Sequence, residues 1–273
     1  MPSLTDTFTL SNDVEIPKIG FGTWQIPDGP DAYDSVAAAL KAGYRHIDTA
    51  RAYGNEASVA RAIRDSGIPR DEIFVTTKLP AEIKDHDEAL ASFETTMSAL
   101  EMDYVDLYLI HAPWPWTDMG SDHRTGNQAV WKALEGIHAS GRARSIGISN
   151  FTVDDIESLM ETATVTPHVN QIRWYVGYTQ DETTAYCQQK GILVEGYSPL
   201  ATGAILDSAD LAGIAAKYGK SVAQLCIRYL LEKDVLPLPK TTSAKRAAEN
   251  ADVDFEISAD DLAALDALTD PTA

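Results

Sequence analysis

The chain has 273 residues, with 41 acidic against 22 basic side chains and a formal net charge of −19. That length can bury a large core, and that charge without any basic run argues against a nucleic-acid partner, because phosphate backbones are gripped by clusters of Lys and Arg. No apolar run approaches the ~20 residues that span a bilayer, and MPSLTDTFTL lacks a basic start followed by an apolar stretch, so no membrane contact and a cytoplasmic location are expected.

In chain order, TFTLSNDVEIP (7–17) reads as two short strands about a polar Ser-Asn-Asp turn, a hairpin able to plug the lower mouth of a barrel. Eight apolar strand-like runs follow: KIGFGTW (18–24), RHIDTA (45–50), EIFVTTKL (72–79), VDLYLIHA (105–112), ARSIGISN (143–150), PHVNQIRW (167–174), ILVEGYSP (192–199) and VLPLPK (235–240). Helical patterns lie between them. Asn127 opens one, with an apolar stripe of Val130, Trp131, Leu134 and Ile137 that runs to a stop at Gly141. Thr152 with Asp155, Ser221 with Gln224 and Ser258 with Asp261 mark three more helix starts. Short strands alternating with helices argue for parallel βαβ units. Eight of them predict a (β/α)8 TIM barrel, an α/β fold in one domain spanning 1–273, since a doubly wound sheet usually has fewer strands. Cys187 and Cys226 lie on helical patterns without a CxxC, so buried thiols are expected.

Asp48, Tyr53, Lys78 and His111 sit at or just past the ends of three consecutive runs. The C-terminal ends of barrel strands are where catalytic groups collect, and a polar residue among β-branched neighbours is costly unless paired. Taken singly, a Tyr in a loop is ordinarily packing and an Asp before a turn is often a cap. The joint occurrence, with Lys78 and His111 interrupting strongly apolar strands, favours a site. Metal is not expected: His46, His86, His111, His123, His138 and His168 stand singly, without the His-x-His pairs of barrel hydrolases. His46 and His138 read as packing residues. GFGTW lacks the third glycine of a dinucleotide fingerprint and does not open a helix.

GYRHIDTARAYGNEASVA (43–60), GRARSIGISNF (141–151) and LPKTTSAKRAAENADV (238–253) resemble, in order and spacing, three characteristic motifs of the aldo-keto reductase superfamily. With GFGTW, VTTKL, DLYLIH, VNQI and GYSPL the resemblance covers nearly the whole chain, and is nearest to the prokaryotic, diketogluconate-reductase-like branch. It implies a (β/α)8 barrel that binds NADPH without a Rossmann fold and reduces aldehydes and ketones, whether small carbonyls, dicarbonyls or keto sugars. A small-molecule carbonyl substrate and a monomer or weak dimer are the corresponding expectations.

Carbonyl reduction moves hydride to carbon while charge builds on oxygen, so the site needs a proton donor and positive electrostatics. The resemblance makes Tyr53 the acid. Lys78 is expected to lower its pKa from about 10, with Asp48 keeping the lysine charged and a neutral His111 orienting the substrate oxygen. For the cofactor it implies Ser149, Asn150 and Gln171 at the nicotinamide carboxamide and Tyr197 stacked on the ring. Gly22 and Thr23 are further cofactor-binding candidates, and Ser198 and Leu200 would follow at the pyrophosphate. Lys240, Thr241, Ser243 and Arg246 surround the 2′-phosphate, with Glu249 and Asn250 towards the adenine. Charge gives independent support, because residues 238–248 hold Lys240, Lys245 and Arg246 and no acid. Trp24 and Trp114 are assigned to the substrate pocket, with a core role as the alternative for Trp24, and Trp116 is expected with Trp114 to reshape the pocket wall. HAPWPW, with Ala112, departs from the Trp-Pro that follows the histidine in many relatives, as do Arg173 and Trp174 in NQIRWYVGY and Ala60 at the end of the first motif. Segment 114–126 is therefore where specificity is expected to differ. A nicotinamide-binding sensor with little turnover is the alternative class, and a metal-dependent hydrolase the third.

Overall fold

The computed structural model describes residue 4 and residues 6–270. β1 (Thr7–Thr9) and β2 (Glu15–Pro17) pair antiparallel, Thr7 opposite Pro17. Leu10 and Ile16 of this hairpin pack in one cluster with Phe74, Leu107, Val169 and Leu236, and Asn12 Nδ2 donates to the Arg144 carbonyl at 3.0 Å. The hairpin is the expected plug.

The eight strands that follow are β3 (Phe21–Gly22), β4 (His46–Asp48), β5 (Phe74–Leu79), β6 (Val105–Ile110), β7 (Ala143–Ser149), β8 (Val169–Arg173), β9 (Leu193–Tyr197) and β10 (Val235–Leu238). They form one sheet in chain order, every registered pair parallel. The seam between β10 and β3 is closed by Gly20 N–H to Pro237 O at 3.1 Å and Gly22 N–H to Pro239 O at 3.0 Å. Prolines have no N–H to return, so bonding across that seam runs one way. Gly20 is needed there, since a Cβ would lie 2.4 Å from Leu238 Cδ2 and 2.7 Å from His46 Nδ1.

The helices are α1 (Pro30–Lys41), α2 (Glu56–Asp65), α3 (His86–Leu100), α4 (Arg124–Ala139), α5 (Val153–Met160), α6 (Asp181–Gln189), α7 (Ala209–Lys217), α8 (Val222–Glu232), α9 (Ala244–Ala251) and α10 (Ala259–Asp266). Each strand of the barrel is thus followed by a helix, with α7 and α10 additional. The expected starts at Thr152 and Ser221 are reciprocal capping boxes, each worth about 1 kcal/mol, and Ser258 accepts from the Asp261 N–H. Asn127 is a correction. α4 begins three residues earlier, after His123, because the Asn127 side chain is occupied in tertiary contacts, donating to Pro113 O at 2.8 Å and accepting from Lys84 Nζ at 2.8 Å. Gly141 does stop that helix, with φ 78°. Both cysteines are buried and free. No described helix is long and apolar enough to cross a membrane.

Side chains alternate between the faces of a strand, and this alternation builds the site. Ile47, Val75 and Tyr108 pack outward under the helices. On the opposite parity His46 and Asp48 of β4, Thr76 and Lys78 of β5, Gln171 of β8 and Glu195 of β9 turn to the axis, where they meet one another. The lower axis is apolar and the upper axis polar.

Candidate active site

At the C-terminal mouth, β4 ends on Asp48, β5 presents Lys78, and His111 follows β6. Tyr53 comes from the short 3-10 turn Arg51–Tyr53, which is fixed by Asn55: its Oδ1 accepts from Thr49 Oγ1 at 2.8 Å, and its Nδ2 donates to Thr23 O at 3.0 Å and Ile26 O at 2.9 Å. The four predicted residues meet. Lys78 Nζ, 0% exposed, donates to Asp48 Oδ1 at 2.8 Å and Oδ2 at 2.7 Å, to Thr49 O at 2.8 Å and to Tyr53 Oη at 3.2 Å. The His111 ring stands edge-on to Tyr53, centroids 5.5 Å apart.

Burial acts to strip the Lys78 proton, but the charges of Asp48 and Tyr53 and their hydrogen bonds outweigh it and hold the ammonium above its usual value. Asp48 meets the lysine through both of its oxygens. Burial, with Lys78 nearby, pushes His111 down to about 3, so the imidazole is neutral as expected. The expected lowering of the Tyr53 pKa is not met: burial pushes the phenol up, and Lys78 pulls it down without prevailing. An ammonium has three protons, and its shorter contacts all go to Asp48 and Thr49, leaving Tyr53 the weakest share.

Asp48, Tyr53 and His111 line a cavity of about 690 Å³ together with Trp24, Trp116, Lys240, Arg246 and Asn250. Trp24 is 46% exposed and lines the wall, which sets aside its core alternative. Trp114 does not line it. Trp116 does, edge-on to His111 with centroids 5.4 Å apart, and Trp114 packs against Trp116 from behind at 5.1 Å. Of the two departures near β8, Trp174 is a core residue, while Arg173 lies over Tyr175 and Tyr178.

Of the positions that the resemblance assigns to a cofactor, Gly22, Ser149, Asn150, Gln171, Tyr197, Ser198, Leu200, Lys240, Thr241, Arg246 and Asn250 line the cavity. Thr23, Ser243 and Glu249 do not: Thr23 Oγ1 donates to Asp48 O at 3.0 Å, Ser243 caps α9, and Glu249 lies 3.5 Å from Lys245. Asn150, held at a left-handed φ of 63°, joins three strand ends, donating to His111 O and Ser149 Oγ at 3.0 Å each and accepting from Tyr197 Oη at 2.8 Å. After Tyr197 the chain turns through positive φ at Ser198, Ala201, Thr202 and Gly203, and Ser198, Thr202 and Gly203 face the cavity.

The model of the aldo/keto reductase family matches residues 18–270. The chain belongs to that family. Glyoxal reductase of Bacillus subtilis (strain 168) is 43% identical over 267 residues, 97% of this chain and 94% of the relative. The crystal structure of an aldo/keto reductase from Brucella melitensis superposes with a TM-score of 0.89 at 40% identity, covering 96% of this chain and 98% of that one. A Bombyx mori aldo-keto reductase solved in complex with NADP gives a TM-score of 0.87 at 33% identity over 96% and 92% of the two chains.

Of Trp114 and Trp116, both expected to shape the pocket wall, only Trp116 lines it, because a loop has no periodicity to say which indole faces inward. Glu195 was passed over, although it interrupts ILVEGYSP as Lys78 interrupts EIFVTTKL. In the structure it is 0% exposed and pushed up to about 8, by burial first and by Asp48 second.

The buried imidazoles make a pH prediction. His46, lowered by burial to about 3, and His111, likewise about 3, are depressed from an unfolded value of 6.5. The unfolded chain binds more protons between those values, so their contribution to stability is present above about 6.5 and is lost as pH falls, at about 1.4 kcal/mol per unit and per group. Glu195 has the opposite sign, its contribution being lost as pH rises from its unfolded value through about 8. The melting temperature is therefore expected to fall steeply below about pH 6, and His46→Gln to flatten that limb; a scanning-fluorimetry profile against pH decides it.

Proposed function

We propose that this aldo/keto reductase uses NADPH to reduce small aldehydes and ketones, dicarbonyls and keto sugars included, to alcohols, with Tyr53 as proton donor. The observation that carries the reading is the Lys78 ammonium bound to both Asp48 oxygens and to Tyr53 Oη, behind a cavity that Asp48, Tyr53 and a neutral His111 line.

The cavity fits a dinucleotide with an extra phosphate. Its lining carries two cations, Lys240 and Arg246, the latter braced by Nε to Thr241 Oγ1 at 3.2 Å. The left-handed turn beyond Tyr197 lines the same cavity. Gln171 spends its amide N–H groups on Asp48 and Glu195, which leaves its carbonyl to accept from a carboxamide. When bound, the nicotinamide supplies the hydride. The chain's own part is to orient the carbonyl oxygen between Tyr53 and His111, donate the Tyr53 proton to it as charge develops, and exclude water with Trp24 and Trp116. Lys78 stabilises the phenolate that remains. Names of relatives support the reading: one is a glyoxal reductase and another was solved with NADP.

Initial-rate NADPH oxidation across aldehydes, dicarbonyls and keto sugars tests it. Binding of NADPH without turnover on any of them would return the sensor alternative. Charge-assisted hydrogen bonds are worth about 1.5–3 kcal/mol, so Arg246→Ala is expected to raise the KM for NADPH roughly ten- to a hundredfold and to leave that for NADH nearly unchanged. Equal losses with both cofactors would remove Arg246 from the 2′-phosphate.

A further inference from the structure

Beneath the tetrad lies a buried carboxyl that the proposed chemistry does not use. Glu195 projects from β9 into the barrel axis and is 0% exposed. Its Oε2 accepts from Gln171 Nε2 at 2.8 Å, and the same nitrogen donates to Asp48 Oδ2 at 2.9 Å. Its Oε1 has no hydrogen-bond partner among the described residues; His46 Nε2 lies 3.9 Å away, itself engaged by Thr76 Oγ1 at 2.9 Å.

An amide nitrogen carries two protons, and here each meets a carboxyl oxygen. Both Asp48 oxygens already accept from Lys78, and it is the nitrogen of Gln171 that turns inward to donate to Oδ2. Asp48 alone would leave the amide free to pivot about one bond. A second N–H without an acceptor is worth about 1–3 kcal/mol of penalty when buried, enough to swing the side chain until that proton finds another partner. Glu195 removes the pivot, and the Gln171 carbonyl is then aimed into the cavity that Gln171 lines.

We propose that Glu195 is a positioning residue, which with Asp48 clamps the Gln171 amide so that it presents a hydrogen-bond acceptor to the carboxamide of the nicotinamide cofactor. The inference rests on the cofactor reading above. The state of the carboxyl agrees with it, because burial and Asp48 push Glu195 up to about 8. Near neutrality it is then an uncharged acid that accepts through one oxygen and adds no second negative charge beside Asp48. A glutamine has the same shape and the same acceptor.

The test measures dissociation constants by titration for NADPH and for adenosine 2′,5′-bisphosphate, which has the phosphoadenosine end and no nicotinamide. Three variants are compared with the parent: Glu195→Met, of similar length with no acceptor; Glu195→Ala, in case the methionine does not fold; and Glu195→Gln. The methionine or alanine variant is expected to bind NADPH about tenfold more weakly, with bisphosphate binding unchanged, and the glutamine variant to match the parent in both. Equal weakening of both ligands would mean that Glu195 only supports the barrel, and unchanged NADPH binding would mean that it positions nothing. Failure of the glutamine to rescue would also overturn the clamp. A parent that binds neither ligand would remove the cofactor reading itself, a result separate from the other three.

Discussion

Replacing Tyr53 with phenylalanine is expected to lower kcat for carbonyl reduction by roughly 10²–10⁴-fold, the span of general acid catalysis, with NADPH affinity unchanged. The substitution is narrow. The ring, its edge contact with His111 at 5.5 Å and the Lys78 ammonium 4.9 Å from its centroid are all kept, and only the hydroxyl is lost. Lys78 retains its three shorter acceptors, so stability should move by no more than about 1 kcal/mol. The pH profile carries a second expectation. Burial pushes the phenol up and His111 down to about 3, so neither group titrates near neutrality, and kcat/KM for reduction should be level between about pH 5 and 7, below the range where Glu195 titrates. A variant that turns over like the parent would place the proton donor elsewhere.

Lys78→Met is expected to cost both activity and fold. It removes the cation from a buried pair and leaves Asp48, 3% exposed, with Gln171 Nε2 as its remaining side-chain donor among the described residues. Breaking one side of such a pair costs about 3–5 kcal/mol. For a chain of this size the melting temperature should fall by roughly 10 °C. The double variant Lys78→Met with Asp48→Asn separates the two losses. Removing the orphaned charge should return a large part of the stability, by the non-additivity of contacting residues, and none of the activity, since the cation proposed to stabilise the phenolate is still gone. Recovery of turnover in the double variant would show that Lys78 serves only to neutralise Asp48.

Most of this architecture was legible in the chain. All eight strand-like runs became strands because short β-branched and aromatic runs bounded by turns have few other ways to bury themselves. The Thr152 and Ser221 capping boxes formed where local hydrogen-bonding chemistry placed them. The misreadings share a cause. Asn127 has the residue type of a helix cap, yet its amide is held by Lys84 and Pro113, partners 43 and 14 residues away in sequence. Trp114 and Trp116 are alike to any local rule, and only the packing of their loop against His111 decides which one lines the cavity.

The sequence by itself determined the barrel, the strand ends on which Asp48, Lys78 and His111 stand, and the family, since alternation and motif spacing are properties of the chain. Tertiary structure alone decided the electrostatics. Whether a lysine lowers a tyrosine depends on how its three protons are shared, and Asp48 and Thr49 take the shorter contacts. Whether a carboxyl in a strand is a surface charge or an uncharged clamp depends on burial and on a neighbour 24 residues distant, Gln171. Pairings of that kind are set by which strands meet around the axis, and no local pattern encodes them.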